Sequence, residues 1–288
     1  MGTITELWRF PVKSMAGEPM EKCYLGPRGI PGDRGWAVRD ETAGEIRGAK
    51  KLPTLMQCHA AYLSEPAGTE VPPAEITFPD RSRARTGDKE AQAKLSAFLG
   101  RPVTLWPLQP PDALEHYRHG KPDNPDMINE LRQIFGRLED EPLPDFSTFP
   151  PGLLQELMTY TSPLGTYFDA YPLHLVTTAT LAALSERNPT AQFDVRRFRP
   201  NVLIETRSEI RGLAEAEWSG RTLSIGDVQL KLEMPVVRCV MTTLAQDDLP
   251  KDPSVLRTIV RDAAQNLGVY ATITKPGHIR CGDPVELH

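Results

Sequence analysis

Proline is the residue that most constrains the fold of this chain, since it occurs 28 times in 288 residues. A proline has no backbone N–H and a fixed φ angle, so it interrupts helices and is confined to the edges of sheets. The prolines leave few stretches long enough for a long helix, but many short apolar runs bounded by proline or glycine. The sequence therefore predicts a strand-rich protein with a few helices, which is a mainly β fold with α (α+β).

The short apolar runs predict strands that are spread over both ends of the chain. They are residues 3–12, 36–40, 103–108, 171–176, 202–205, 222–226, 228–234, 235–243, 269–273 and 279–287. Amphipathic patterns predict helices at 89–100, with Asp88 as the N-cap, at 177–187 and at 252–268. Many short strands separated by turn residues are typical of a barrel rather than of a doubly wound sheet.

A proline-rich, acidic segment divides the chain at residues 108–165, which contain the run DEPLPDFSTFPPG. Such a composition fits a disordered linker, but Leu, Phe and Tyr recur through it and favour an ordered insertion packed over the core. We therefore expect an N-terminal β-rich domain at 1–107, this insertion, and a second domain at 166–288.

Charge and cysteine content exclude several classes of protein. The net charge of −5 argues against a nucleic-acid partner, and the basic run RSRAR fits a solvated loop or a local anion site. The four cysteines (Cys23, Cys58, Cys239 and Cys281) form no CxxC pair, so neither a zinc knuckle nor a thioredoxin motif is present. No apolar run is long enough to cross a membrane, and no basic-then-apolar leader begins the chain. We expect a cytoplasmic protein with free thiols.

Three motifs offer cationic and hydrogen-bonding side chains at the ends of apolar strands: PVKS, GDRGW and RRFRPN. Lys13 and Ser14 follow a strand and a proline, so both side chains can point to one place, although Lys13 also fits a plain surface charge. Arg34 lies between glycines that allow close backbone approach to a ligand, or in a simple turn. Arg199 and Asn201 suit a phosphate, with a structural ion pair as the alternative.

Two hydroxyls and a thiol complete this set. Thr177 and Thr178 lie at a strand-to-helix junction, where they can bind an anion or only cap the helix. Cys239 follows Arg238 in RCVMTT and fits a small buried hydrophobe, a nucleophile or a ligand for a thiophilic metal. The whole inventory suits a protein that holds a phosphorylated organic cofactor and presents a soft ligand, the thiol, beside it.

The order of these motifs resembles the MOSC family, which includes the C-terminal part of molybdenum cofactor sulfurase, the mitochondrial amidoxime-reducing component and bacterial reductases of N-hydroxylated bases. The matching motifs PVKS, GDR-W, TTATL, FRPN, RC--TT and IR-GDPV span most of the chain, and FRPN followed by RC--TT is the specific signal. The resemblance implies a MOSC β-barrel domain joined to a smaller N-terminal β-rich domain, with molybdopterin held in the cleft between them.

The resemblance also assigns the site residues. Cys239 would be the catalytic thiolate ligand of the metal in a molybdenum cofactor (Mo-molybdopterin). The pterin and its phosphate would be bound by Lys13, Ser14, Arg34, Arg199 and Asn201, with Thr177 and Thr178 near the same end.

The activity that the family implies is reduction of N-hydroxylated small molecules by two-electron oxygen-atom transfer. The chain has neither a flavin motif nor an iron–sulfur cysteine cluster, so a ferredoxin-like or flavoprotein reductase would supply the electrons. The segment LAQDDLPKD after Thr243, the triplet after Ser14 and the insertion at 108–165 depart from the family pattern. Two other functions stay open. Sulfur transfer through a persulfide on Cys239 would leave Arg199, Asn201 and Lys13 without a common ligand, whereas non-catalytic carriage of the cofactor needs the same pocket.

Overall fold

The computed structural model describes residues 1–288. Its strands are β1 (Gly2–Arg9), β2 (Glu18–Met20), β3 (Lys22–Leu25), β4 (Trp36–Asp40), β5 (Glu45–Ile46), β6 (His59–Tyr62), β7 (Ala74–Thr77), β8 (Arg83–Arg85), β9 (Val103–Pro107), β10 (Leu173–Thr177), β11 (Val202–Thr206), β12 (Thr222–Ile225), β13 (Val228–Val237), β14 (Asn266–Lys275), β15 (Gly277–Arg280) and β16 (Pro284–Leu287). Its helices are α1 (Lys89–Leu99), α2 (Leu114–Tyr117), α3 (Met127–Phe135), α4 (Pro151–Thr159), α5 (Thr178–Arg187) and α6 (Pro253–Asp262).

Seven strands close into a barrel, so the predicted mainly β fold with α is confirmed. Their order is β11, β10, β14, β13, β12, β16 and β1, and β1 pairs back with β11 to complete the circle. Along β13 the residues Val228, Leu230 and Leu232 are fully buried, while Gln229 and Lys231 between them are exposed. This alternation fills the barrel with a core of 19 buried residues.

A smaller β-rich module packs beside the barrel. It contains two three-stranded sheets, β5-β4-β9 and β6-β7-β8, and helix α1. A second core of 18 buried residues joins them. Helix α1 ends at Gly100, whose φ of 65° places it in the left-handed region that favours glycine. Asp88 lies at the N-cap position as predicted, but its side chain accepts no capping hydrogen bond.

The first strands of the chain lie in the barrel rather than in the smaller module. Strand β1 pairs with β11 and β16, and β2 extends the same sheet from β1. Strand β3 pairs with β15 near the C-terminus. The predicted domain division at residues 107 and 165 stays a prediction. Within the first 107 residues, β1 and β2 belong to the sheet of the barrel, and β3 pairs with β15 from the C-terminal part of the chain.

The segment 108–165 contains helices α2, α3 and α4, and it contacts the smaller module through ion pairs. Lys51 pairs with Glu130 of α3, and Arg47 donates to Asp123 at 2.8 Å. Helix α3 begins at Asp126, whose carboxylate accepts the backbone N–H groups of Ile128 and Asn129. None of the six helices is both long enough and apolar enough to span a bilayer.

Two predicted elements end earlier than expected. The predicted strand 235–243 stops at Val237, because the chain leaves the sheet there and forms a 3₁₀ turn over Val240–Thr243. The predicted helix 252–268 stops at Asp262, because Ala264 and Gln265 have φ angles of 45° and 70° that no helix contains. Residues 266–268 belong to β14 instead.

A buried carboxyl group lies where β10 meets α5. The hydroxyls of Thr177 and Thr180 donate to Oε2 of Glu215 at 2.6 and 2.5 Å, while Oε1 of this carboxyl has no partner. Burial raises the pKa of Glu215, and the two hydroxyl donors only partly offset that effect. The folded protein therefore favours the protonated carboxyl.

We expect Glu215→Gln to remove a pH dependence of stability. Because the folded-state pKa lies above the ordinary glutamate value, this group stabilises the fold fully at pH values below that ordinary value. The contribution is lost as the pH rises through the raised pKa. Thermal unfolding at pH 5 and pH 8 should show a smaller fall of Tm in Glu215→Gln than in the wild type. The exposed neighbour variant Glu217→Gln is the control, and an equal fall in all three proteins would contradict the assignment.

Candidate functional site

Charged side chains of the barrel and the smaller module meet where the chain leaves β1, and we call this region the cleft. Lys13 is buried there, and its Nζ donates to the carbonyl of Tyr167 at 2.7 Å and to Oδ1 of Asp169 at 3.2 Å. Burial lowers the pKa of Lys13, with Asp169 opposing the change. Burial alone would raise the pKa of Asp169, but Lys13, Lys50 and Arg34 together hold it well below its usual range. Asp169 is therefore an ionised carboxylate among cations.

Ser14 lies beside Lys13 with a φ of 68°. Its hydroxyl packs against Gly48, where an added Cβ would lie 2.5 Å from Oγ. Only glycine fits at this contact, so Gly48 allows the turn of the smaller module to close onto the PVKS segment. The structure thus brings Lys13 and Ser14 to the same cleft, as the sequence predicts.

The buried carboxylate of Asp33 joins three parts of the chain. It accepts the backbone N–H of Phe10 at 2.8 Å, the side-chain amide of Asn201 at 3.1 Å and the guanidinium of Arg34. The amide oxygen of Asn201 accepts the backbone N–H of His174 at 3.1 Å. Asn201 is therefore fully engaged within the protein and supports the cleft instead of facing a ligand.

Arg199 lies with its guanidinium over the ring of Phe10, at 4.2 Å from the ring centroid. Its backbone has a φ of 55°, and its Nη1 donates to the carbonyl of Met15. The second nitrogen, Nη2, is buried and has no partner. Burial lowers the pKa of Arg199 to about 9, and the nearby Arg34 adds to this effect. A buried cation with a free N–H is what an anionic ligand would complete.

Cys239 lies two residues after the end of β13, and it is only partly buried. The preceding Arg238 is buried, donates Nη2 to the carbonyl of Phe198 at 2.9 Å, and keeps Nε without a partner. Burial lowers the pKa of Arg238, and Cys239 opposes that change. Burial alone would lower the pKa of Lys50, which comes from the smaller module. Asp169 and Cys239 outweigh burial, so the pKa of Lys50 is raised. The thiol is thus a neighbour of both cations.

The cleft carries a large excess of positive charge. Five cations face two carboxylates; the cations are Lys13, Arg34, Lys50, Arg199 and Arg238, and the carboxylates are Asp33 and Asp169. Two buried guanidinium nitrogens lack partners there. No group of three or more His, Cys, Asp or Glu side chains could hold a metal ion by itself. These donors fit a phosphorylated organic group whose own atoms supply the remaining ligands of a soft metal.

Thr177 and Thr178 do not belong to this cleft. Strand β1 ends at the cleft, and β11 is antiparallel to it: Leu7 pairs with Val202 and Gly2 pairs with Thr206. Strand β11 therefore begins at the cleft and ends at the opposite rim of the barrel. Strand β10 runs parallel to β11, and Thr178 accepts the backbone N–H of Thr206 at 3.1 Å. Both threonines therefore lie at the far rim, where the Thr177 hydroxyl caps α5 and donates to Glu215. Their prediction as cofactor-binding residues is not supported by this placement.

Several cleft residues were not predicted from the sequence. Asp169 lies in the run FDAYP, and Lys50 lies in the turn after Gly48; both are polar residues at the ends of buried elements. His174 is buried with Nε2 unpaired, and burial holds its pKa well below the ordinary histidine value. An added Cβ on Gly268, whose φ is 86°, would lie 2.1 Å from that nitrogen, so glycine is required there.

Comparisons with known proteins give the following matches. The MOSC domain model matches residues 164–286, and the MOSC N-terminal beta barrel domain model matches residues 1–102. Mitochondrial amidoxime-reducing component 1 of Homo sapiens is 25% identical over 322 residues, which cover 100% of this chain and 83% of that protein. Molybdenum cofactor sulfurase of Drosophila ananassae is 38% identical over 97 residues, which cover 32% of this chain and 12% of that protein. The crystal structure of the YUAD protein from Bacillus subtilis aligns with 100% of this chain and 95% of that chain at 13% identity, with a TM-score of 0.45.

We expect Asn201→Ala to destabilise the protein by about 2–4 kcal/mol, because it leaves buried partners of the amide without hydrogen bonds. Thr178→Ala, which removes a partly exposed hydroxyl at the far rim, should cost about 1 kcal/mol or less. Unfolding in urea, monitored by circular dichroism, measures both. Equal losses in the two variants would contradict the supporting role assigned to Asn201.

Proposed function

This chain belongs to the MOSC family, and from that premise we propose that it is a molybdenum cofactor-dependent oxidoreductase that reduces N-hydroxylated substrates. The observation that carries the proposal is the placement of a single partly exposed thiol, Cys239, in a cleft rich in buried cations. A thiol selects soft metals, and the cations select an anion. The amidoxime-reducing name of a full-length relative supports the choice of substrate.

The cleft residues would divide the binding of the cofactor among them. Cys239 would be the protein's ligand to molybdenum. Lys13, Arg199 and Arg238 would neutralise the phosphate, and the unpaired nitrogens of the two arginines would donate to it. Arg34 lies over the rings of Phe10 and Phe168 and offers a flat surface beside a pterin. When bound, the cofactor would supply the two-electron chemistry of oxygen-atom transfer.

Lys50 and Asp169 would face the substrate. Lys50 is about one-third exposed, and its Nζ lies 3.8 Å from Asp169. Its raised pKa means that it keeps its proton, so it suits hydrogen-bond donation to the substrate oxygen better than proton transfer. Reduction of an N–OH group to N–H releases water and consumes two electrons and two protons. At this partly open mouth the protons would come from solvent, and the electrons from a ferredoxin-like or flavoprotein reductase.

Cys239→Ser tests the proposal directly. In protein made by a host that synthesises molybdenum cofactor, we expect stoichiometric molybdenum in the wild type and a loss of about tenfold or more in the variant. Reduction of benzamidoxime with a chemical electron donor should disappear with the metal. Cys281→Ser is the matched control, because that thiol lies beside Met20, away from the cleft, and should change neither quantity.

Two other results would reject this function. Absence of molybdenum from both the wild type and the variant would contradict the proposal. In that case, a cyanide-labile sulfur on Cys239 would favour sulfur transfer. Molybdenum that is bound and passed to an apo-enzyme without any reduction would identify a carrier.

A second prediction concerns where the cofactor binds. Arg199→Gln removes a buried cation of the cleft, so the molybdenum content should fall about tenfold, the scale of a lost charged hydrogen bond. Thr178→Ala lies at the far rim and should leave the content unchanged. Elemental analysis of both variants measures this, and a loss in Thr178→Ala as large as in Arg199→Gln would return the threonines to the site.

A further inference from the structure

The insertion at 108–165 contacts the chain on both sides of Cys239. On one side, Nη2 of Arg137 donates to the carbonyl of Arg238 at 3.1 Å. On the other side, Gly136 packs on the residue that follows the thiol: an added Cβ would lie 3.3 Å from Cα of Val240 and 2.8 Å from Leu256. Gly136 has a φ of 60° at the end of α3, so the close approach and the backbone both require glycine.

Arg137 also fixes the backbone segment that holds Arg238 in place. Its Nε and Nη2 donate to Oε1 of Gln265 at 3.0 and 2.8 Å. Gln265 has a φ of 70°, and its own carbonyl accepts the backbone N–H of Arg238 at 2.9 Å. A left-handed glutamine is strained unless its surroundings hold it. Arg137 therefore supports Arg238 twice, through the carbonyl of Arg238 and through Gln265.

Arg137 is a buried cation whose hydrogen-bond partners are all neutral oxygens. Besides the two acceptors above, its Nη1 donates to the carbonyl of Phe135 at 2.5 Å. Burial lowers its pKa to about 10. A neutral donor would satisfy these oxygens with a smaller desolvation cost, so the guanidinium needs another reason to be there. The planar guanidinium carries several N–H donors in fixed directions, and here they reach the Arg238 carbonyl and the Gln265 amide oxygen together.

The insertion itself is anchored on both modules. Lys51 of the smaller module pairs with Glu130 of α3. Arg257 of α6 donates to the carbonyl of Gly136 and pairs with Glu141. The Arg137 contact is thus part of a segment, residues 130–141, that is held at two points and packs on the chain before and after Cys239.

We propose that Arg137 is a positioning residue for Cys239, and that the insertion holds this thiol in one orientation toward the cleft. This role deepens the proposed function, since it concerns the residue assigned there as the metal ligand. It can be measured in cofactor-free protein, however, so its failure is distinguishable from failure of the proposed function.

The test compares Arg137→Gln and Arg137→Lys with Arg132→Gln. Arg132 belongs to the same insertion, but its guanidinium donates only to carbonyls of the insertion, those of Leu138 and Glu141. The readouts are amide hydrogen exchange of the peptide that contains residues 238–243 and the rate of alkylation of Cys239, both followed by mass spectrometry. Cofactor-free full-length protein is used throughout.

We expect Arg137→Gln to increase both rates about tenfold, while Arg132→Gln leaves them within about twofold. Arg137→Lys keeps the charge, but its ammonium lies one atom closer to the backbone than Nη2, and it lacks the second donor to Gln265, so it should behave like Arg137→Gln. Full restoration by lysine would overturn the positioning role in favour of charge alone. Equal acceleration in Arg132→Gln would overturn it in favour of a general loosening of the insertion.

A second variant covers the case in which Arg137→Gln does not fold. Gln265→Asn keeps a residue that tolerates the left-handed conformation but is too short to reach Arg137. It should accelerate exchange and alkylation of the 238–243 segment by several-fold while Tm stays close to the wild-type value. Unchanged rates in a folded Gln265→Asn variant would contradict the proposal.

Discussion

The buried carboxylate of Asp33 is the interaction on which the cleft depends. It binds the backbone where β1 leaves the barrel, the amide of Asn201 where β11 enters it, and the guanidinium of Arg34 from the smaller module. These three groups come from parts of the chain that are far apart in sequence, and no apolar contact could fix their directions. Because an unpaired buried carboxylate is costly, the three donors and the acceptor must all be in place together. The wall of the cleft therefore forms as a unit.

The second constraint is electrostatic. Lys13, Arg199 and Arg238 are buried close to one another, and burial lowers the pKa of each. Such a cluster opposes its own formation, and Asp169, Asp33 and the thiol of Cys239 only partly offset this within the protein. The buried cations thus lower the stability of the fold, and a bound anion would restore it by neutralising them. Binding sites commonly reduce the stability of a fold in this way.

The parts that sequence reasoning predicted are those that local patterns determine. The strand at 36–40 and the helix at 89–99 follow from residue spacing alone, and the barrel follows from many short strands. The placement of Lys13, Ser14, Arg34 and Arg199 in one cleft agrees with the motif resemblance. Thr177 and Thr178 lie at the opposite rim from Cys239, and a hydroxyl pair at a strand end does not indicate which rim of a closed barrel it reaches. Arg137 was missed because its partners, a carbonyl and a glutamine, carry no pattern in the sequence.

The pairing of β1 with β11 and β16 has a consequence for how the protein is made. Strand β1 can pair with β2 soon after it is synthesised, but its pairing with β11 and β16 waits until residues 202–206 and 284–287 have been made. Contacts between the two ends of a chain form slowly, and the unpaired edges of β1 are exposed during that interval. The smaller module, whose strands are close in sequence, can fold earlier and shield one side of the unfinished barrel. Closure of the barrel and completion of the cation-rich cleft are then one late event of biosynthesis.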